Sequence, residues 1–314
     1  MRFVVTGSAG FIGDHVCEAL LGLGHEVDGV DSFTDYYDPS LKRANAARLG
    51  RHDRYRNVEL DLVHADPDDV LEGADAVIHL AAQPGVRLSW SDFGVYVERN
   101  ITVSQRLLEA ARRTRAPRLV LASSSSVYGN ATELPTSEDA PARPISPYGV
   151  TKLATEHLAS AYGGHCGLST VTLRYFTVYG PGQRPDMALH RFVAAAAAGE
   201  PVTVYGDGEQ VRDFTYVADA AAATIAAVTA DVAPGSVFNV AGGAPTTVRT
   251  LLAMVSEHVG RPVVTRHLPE QAGDARATTG AIHRARRALG WRPEVRLSEG
   301  IRRQVAHQLG AAPV

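Results

Sequence analysis

The strongest constraint on this chain lies in its first thirteen residues, where the apolar run Phe3-Val4-Val5 passes directly into Thr6-Gly7-Ser8-Ala9-Gly10-Phe11-Ile12-Gly13. A strand before and a helix after three glycines at this spacing define a cradle for a diphosphate. Gly7 permits the tight turn, Gly10 lets backbone N–H groups approach the phosphates with no Cβ between, and Gly13 lets the helix pack closely on the strand. The helix N-terminus then faces the negative charge, with Phe11 and Ile12 in its first turn. About 20 residues further on, Asp31 ends the second apolar run, where a carboxylate accepts hydrogen bonds from an adenosine ribose diol. The same carboxylate would repel a 2′-phosphate, which favours NAD over NADP. Asp61-Leu62, after the third run, could reach the adenine, although Asp61 could equally cap a helix.

The rhythm that follows supports a parallel sheet. Short apolar runs at residues 26–30, 58–60, 76–80, 119–121 and 170–173 alternate with helical spacing at 14–23, 100–113 and 147–162. This is the pattern of a doubly wound, mostly parallel α/β sheet of the Rossmann type, with helices on both faces. After about Arg174 proline and glycine multiply, as in Gly180-Pro181-Gly182-Gln183-Arg184-Pro185, and the strands at 202–205 and 237–240 read as isolated. Helical patterns at 248–258, 282–289 and 298–309 complete a smaller, mixed α/β cap. The expected organisation is a dinucleotide-binding domain over residues 1–174, with roughly 210–242 returning to it, and a substrate-binding cap over most of 175–314.

Composition excludes several other classes. The chain has 314 residues, 31 Lys plus Arg against 34 Asp plus Glu, a formal charge of -3 and 45% hydrophobic residues. At this length roughly 75% of the unfolded chain's surface is buried on folding, so a large core forms without covalent staples. Cys17 and Cys166 are the two cysteines and form no CxxC pair, which fits thiols in a reducing compartment. The absence of a Lys/Arg block argues against nucleic acid or an anionic membrane as partner. The apolar length after Met1 is too short for a signal peptide, and no stretch approaches the ~20 residues of a membrane span, so a cytoplasmic protein is expected. None of the 12 histidines falls into HExxH or a CxxC companion pattern, and no metal is expected. His79 ends an apolar run and reads as a packed core residue.

A chemical centre emerges at Pro147-Tyr148-Gly149-Val150-Thr151-Lys152. Tyr148 and Lys152 are spaced i,i+4, which puts phenol and ammonium one turn apart on one helical face. A free tyrosine has a pKa of about 10, so acting as a base near pH 7 requires about 4 kcal/mol of preferential stabilisation of its phenolate. A neighbouring ammonium and a positive nicotinamide ring are suited to supply it.

With these residues the chain resembles the extended short-chain dehydrogenase/reductase family over essentially its whole length. Further matching segments are His79-Leu80-Ala81-Ala82, Ser123-Ser124-Ser125-Ser126-Val127-Tyr128-Gly129, Arg174-Tyr175-Phe176-Thr177-Val178-Tyr179-Gly180-Pro181, and Arg212-Asp213-Phe214 with Val217 and Asp219. Together they resemble the nucleotide-sugar branch. The resemblance implies that Ser124, Tyr148 and Lys152 act together, and that Leu80, Ala81, Ala82 and Tyr175 lie beside NAD with Tyr148 and Lys152. It also implies a homodimer through a four-helix bundle of residues 92–113 and 147–162.

The reaction within the branch turns on two positions. Nucleotide-sugar 4,6-dehydratases carry Asp-Glu after the catalytic hydroxyl, and UDP-glucuronate decarboxylases keep the Glu; here Ser125 and Ser126 stand there. A serine hydroxyl does not replace a carboxylic acid as general acid without an activating base, which favours hydride out and hydride back, that is, 4-epimerisation. Asp35-Tyr36-Tyr37-Asp38-Pro39-Ser40-Leu41-Lys42-Arg43, His79-Leu80-Ala81-Ala82-Gln83-Pro84-Gly85-Val86-Arg87, and Phe176-Thr177-Val178-Tyr179-Gly180-Pro181 running on to Arg184-Pro185-Asp186-Met187 resemble the segments of bacterial UDP-glucuronate 4-epimerases most closely. A substrate carboxylate calls for arginine and hydroxyl donors, and Arg87, Arg184, Thr177 and Ser126 are the candidates, beside Ser124, Ser125 and Tyr148. Galactose epimerases usually have Asn where Thr177 stands. Arg212 matches the family's diphosphate arginine and Asp274 its uridine-ribose acid, whereas Gln271 replaces a second diphosphate arginine unless Arg276 serves instead. Thr278 stands where a bulky Tyr often narrows the sugar pocket, so an N-acetylated sugar remains open. The alternatives are a UDP-glucose or UDP-N-acetylglucosamine 4-epimerase, a decarboxylase or dehydratase, and a non-catalytic NAD-binding protein of the same fold.

Overall fold

The structure is a computed structural model that describes residues 1–270 and 273–310. The first half alternates strands β1 (Arg2–Thr6), β2 (Glu26–Asp31), β3 (Tyr55–Glu59), β4 (Ala76–His79), β5 (Leu119–Ser124) and β6 (Thr170–Tyr175) with helices. These are α1 (Phe11–Gly22), α2 (Pro39–Leu49), α3 (Asp68–Leu71), α4 (Phe93–Tyr96), α5 (Val103–Thr114) and α6 (Pro147–Cys166). The second half contains β7 (Thr177–Tyr179), α7 (Ala188–Ala198), β8 (Val202–Tyr205), β9 (Val211–Tyr216), α8 (Val217–Thr229) and β10 (Ser236–Val240). It closes with β11 (Pro245–Thr247), α9 (Val248–Val259), β12 (Thr265–Leu268), β13 (Ala277–Thr278), α10 (His283–Leu289) and α11 (Leu297–Gln308).

Seven strands form one sheet in the order β10-β6-β5-β4-β1-β2-β3, every pairing parallel. β1 and β4 are neighbours although five elements separate them in the chain, so the order reverses between them. The carboxyl ends of β1 and β4 therefore flank a crevice, the place where parallel α/β sheets bind ligands. Alternation along β1 supplies both faces: Phe3 and Val5 join Val16 and Leu20 of α1 on one side, while Val4 joins Val77, Leu107 and Leu108 on the other. A third apolar cluster, with Leu189, Phe192, Leu251, Val255 and Ile301, knits α7, α9 and α11 over β8 and β9.

Residues 237–240, which read as an isolated strand, belong to β10 at the edge of the main sheet, paired in register with β6. β3 starts at Tyr55, earlier than its apolar run, because an edge strand tolerates the polar Arg56 and Asn57. α6 continues to Cys166 and ends at Gly167 in the left-handed region (φ 68). Among the described residues no helix is long and apolar enough to cross a membrane.

Candidate active site

The carboxyl ends of the sheet open into a cleft of about 440 Å³ whose floor is the glycine turn. Gly7 adopts φ +72, and a Cβ there would lie 2.7 Å from the Ala81 amide nitrogen; a Cβ on Gly13 would lie 2.0 Å from the Gly7 carbonyl oxygen. Backbone thus approaches backbone where only glycine fits. Gly10 caps α1 without a side-chain hydrogen bond, which leaves the first amides of the helix for an anion. Asp31, 6% exposed, accepts from Phe33 N at 2.8 Å and Ala9 N at 3.3 Å, and Lys42 Nζ stands 3.5 Å away. Asp61 caps a turn rather than a helix, accepting from Val63 N at 3.0 Å, and faces Arg99 at 3.4 Å. Phe11, Ile12, Leu62, Leu80, Ala81, Ala82 and Tyr175 line the same cleft. A cradle that a Cβ would fill, a helix N-terminus and a carboxylate at the end of β2 fit a dinucleotide with an unphosphorylated adenosine ribose. Among the described residues no group of three or more His, Cys, Asp or Glu is placed to hold a metal ion.

α6 delivers the Tyr/Lys pair. Ser146 caps the helix, its hydroxyl accepting from Gly149 N at 3.1 Å, and Pro147 occupies the first turn. Tyr148 and Lys152 then face β5, where Lys152 Nζ donates to the Ala122 carbonyl at 3.0 Å. Burial draws the Lys152 ammonium down to about 8, opposed by the Glu156 carboxylate one turn on. Burial raises the Tyr148 phenol, while the Arg184 charge and a hydrogen bond with Ser124 pull it back. Ser124 ends β5 and caps the single turn that follows: its Oγ accepts from Ser126 N and donates to Ser126 Oγ, both at 3.1 Å. His79 bridges Thr6 Oγ1 at 2.7 Å and Ser104 Oγ at 3.1 Å, and burial and the Lys152 charge push it down to about 3, so it stays neutral.

Behind the pair lies a buried ionic assembly. Arg174 of β6 grips Glu156 of α6 at 2.7 Å, Ser123 Oγ donates to the same carboxylate, and Arg174 also donates to Tyr128 Oη at 2.7 Å. Removing one partner would leave a buried charge uncompensated, which costs several kcal/mol. The assembly ties β5, β6 and α6 together directly beneath Ser124 and Lys152.

Thr177 and Arg184 line the large cleft. Val86, Ser125, Ser126 and Thr177 also line an adjoining cavity of about 160 Å³, with Arg212, Asp274 and Thr278 at its far side. Arg212 Nη2 and Asp274 Oδ1 pair across it at 2.5 Å. Two arginines expected at the substrate meet protein partners. Arg87 stacks on the Tyr205 ring with its guanidinium 4.0 Å from the centroid, and Arg276 makes a two-point contact with Asp207 at 2.8 Å; neither is among the described residues lining these two cavities. Gln271 lies outside the described residues. Lys42 beside Asp31 is a polar contact that motif reading passed over, although it sits in the Asp35–Arg43 segment. Asn100 is another: it accepts from Gln83 N at 2.7 Å, donates to Thr151 Oγ1 at 3.0 Å, and occupies a π-helical stretch (Val97–Thr102) that the helical spacing hid.

Fold and site together define a dinucleotide-binding α/β protein with a tyrosine–lysine pair at the switch point of its sheet. The sequence model of the NAD dependent epimerase/dehydratase family matches residues 3–241, and the chain belongs to that family. An uncharacterised UDP-glucose epimerase of Bacillus subtilis is 40% identical over 309 residues, 98% of each chain. A UDP-glucuronate 4-epimerase of Thermodesulfobacterium geofontis is 37% identical over 308 residues, 96% of this chain and 94% of that one. The crystal structure of the Bacillus cereus UDP-glucuronic acid 4-epimerase in complex with UDP-glucuronic acid and NAD superposes with a TM-score of 0.95 at 39% identity, covering 99% of each chain.

Proposed function

We propose that this chain interconverts UDP-glucuronate and UDP-galacturonate by 4-epimerisation through a 4-keto intermediate. The observation that carries the reading is the wall around the reacting end. Where elimination chemistry needs carboxylic acids, Ser125 and Ser126 offer hydroxyls, and Thr177 and Arg184 add a hydroxyl and a cation suited to a sugar carboxylate. The named activities of the Thermodesulfobacterium and Bacillus cereus relatives support the same substrate.

Gly7, Gly10, Gly13, Asp31 and Lys152 would hold NAD, which would supply a hydride acceptor and donor for carbon 4. The chain's own residues do the rest. Tyr148 Oη takes the proton of the 4-hydroxyl on oxidation and gives it back on reduction, and Ser124 Oγ holds the hydroxyl oxygen in line. The Lys152 ammonium, one turn away, favours the phenolate. The intermediate is a β-keto acid, which loses carbon dioxide when its C–C bond to the carboxylate aligns with the carbonyl π system. Hydrogen bonds from Ser126, Thr177 and Arg184 to the carboxylate hold that rotor out of alignment. Arg212 serves the diphosphate and Asp274 the uridine ribose.

Residues 1–174 with 210–242 carry the cofactor and most of 175–314 the nucleotide-sugar. We further infer a cytoplasmic homodimer built on residues 92–113 and 147–162; Phe93 and Val150 on those helices stand 43% and 45% exposed. Sedimentation at twice the 33.4 kDa chain mass is the check on the dimer. The reaction is tested by proton NMR of the NAD-loaded protein with UDP-glucuronate and no added reductant. Galacto-configured product without net NADH is the expected result. A pentose product would mean the carboxylate is not controlled, and conversion of UDP-glucose or UDP-N-acetylglucosamine alone would overturn the acid-specific assignment.

A further inference from the structure

Arg184 reaches the cleft already engaged. Its Nε donates to Asp186 Oδ1 at 2.9 Å and its Nη2 to Asp186 Oδ2 at 3.0 Å, a two-point contact that fixes the plane of the guanidinium. Asp186 in turn accepts from Tyr36 Oη at 3.3 Å, across 150 residues of sequence. Tyr36 itself is wedged in place: a Cβ on Gly85 would lie 2.6 Å from its hydroxyl, and Gly85 holds φ +99. Tyr96 secures that neighbouring loop by donating to the carbonyls of Pro84 and Gly85 at 2.7 Å each, and its ring meets Tyr148 edge-on at 6.3 Å. Three loops, following β2, β4 and β7, thus converge on one guanidinium. Burial and the Asp186 carboxylate hold the Tyr36 phenol well above its ordinary range, so its hydroxyl remains a donor.

A guanidinium offers five N–H donors in a rigid fork. Asp186 occupies the Nε–Nη2 edge, and the Nη1 side is what remains for a ligand. We infer that Asp186, braced by Tyr36, is the positioning residue that aims the remaining edge of Arg184 at a substrate carboxylate, and that this pair governs discrimination between acidic and neutral UDP-sugars. The inference rests on the acid-specific reading above. The physical argument is one of preorganisation. An unbraced arginine loses rotamer freedom when it closes on a carboxylate, whereas a braced one has already lost it on folding. A neutral hydroxymethyl group at the same place makes only ordinary hydrogen bonds, about half as strong, and gains correspondingly less from the brace.

The test is titration calorimetry of NAD-loaded wild type, Asp186→Asn, Tyr36→Phe, Arg184→Lys and the Arg184→Lys/Asp186→Asn double variant with UDP-glucuronate and with UDP-glucose, accompanied by kcat and KM for UDP-glucuronate. Asp186→Asn is expected to lower the ratio of the two affinities about tenfold, and Tyr36→Phe about threefold, with KM rising more than kcat falls. The double variant is expected to fall little below Arg184→Lys, because both substitutions break one device. An unchanged ratio in Asp186→Asn, or equal loss for both sugars, overturns the inference. Tighter binding of UDP-glucuronate by Asp186→Asn also overturns it, since Asp186 would then compete with the substrate carboxylate. A wild type that binds UDP-glucuronate no better than UDP-glucose refutes the acid-specific reading together with this inference; a discriminating wild type with an unaltered Asp186→Asn refutes the inference alone.

Discussion

Replacing Lys152 by methionine separates what this residue costs the fold from what it gives the chemistry. The ordinary lysine value is 10.5, and burial draws this one to about 8. At about 1.4 kcal/mol for each tenfold change in proton affinity, keeping the ammonium charged in that site costs roughly 3 kcal/mol. The methylene stem is retained in Lys152→Met, and the lost hydrogen bond to the Ala122 carbonyl offsets about 1 kcal/mol. The nucleotide-free variant is therefore expected to be more stable than wild type by roughly 2 kcal/mol at pH 7, while turnover collapses. The pH dependence has a definite sign. Below pH 8 lysine is charged in both folded and unfolded chains, so the cost is constant. Between about 8 and 10.5 the unfolded chain binds the extra proton, wild-type stability rises relative to the variant, and the gap closes. Urea unfolding of both proteins at pH 7 and pH 9.5 reads this directly. A variant less stable than wild type at pH 7, or a gap that does not narrow at pH 9.5, would refute the reasoning.

Tyr148→Phe removes the hydroxyl and keeps the ring against Tyr96; turnover of UDP-glucuronate should fall roughly 10²–10⁴-fold while NAD stays bound, measured by NMR rate and nucleotide content, and retained turnover would rule out Tyr148 as the proton carrier. Gly13→Ala drives a methyl to 2.0 Å from the Gly7 carbonyl oxygen, so the turn must move or the helix lift; about 3 kcal/mol of stability and the co-purifying NAD should be lost together, seen as a lower Tm and a missing nucleotide absorbance.

Much of the architecture was legible because parallel strands are buried on both faces and therefore read as short apolar runs. Phe3 to Val5 and Ala76 to Ile78 are such runs, and the structure buries both. The pattern weakened where burial is one-sided: the start of β3 was hidden behind exposed Arg56 and Asn57. The helical spacing read to residue 162, whereas α6 runs on through Gly163 to Cys166. In the folded chain a Cβ on Gly163 would lie 3.1 Å from both Gly235 N and Pro234 Cβ, so the glycine lets α6 sit close to the segment before β10. In the cleft, Tyr148 and Lys152 were legible from i,i+4 spacing, since one helix holds both. The contacts of Arg87 and Arg276 were not, because their partners Tyr205 and Asp207, at and just after the end of β8, lie far from both in sequence. Residue type gives the chemistry an arginine is capable of; tertiary packing decides which partner it meets.

One valine, two serines and one threonine, Val86, Ser125, Ser126 and Thr177, line both cavities. With the roles proposed above, a two-part ligand anchored on the Arg212 side would pivot its free end through the larger chamber without surrendering its anchor, as a gate swings on a post. Under that proposal, inverting a stereocentre by removing and restoring a hydride would become a problem of rotation on a tether rather than of release and recapture, with the reactive ketone kept from the surrounding water.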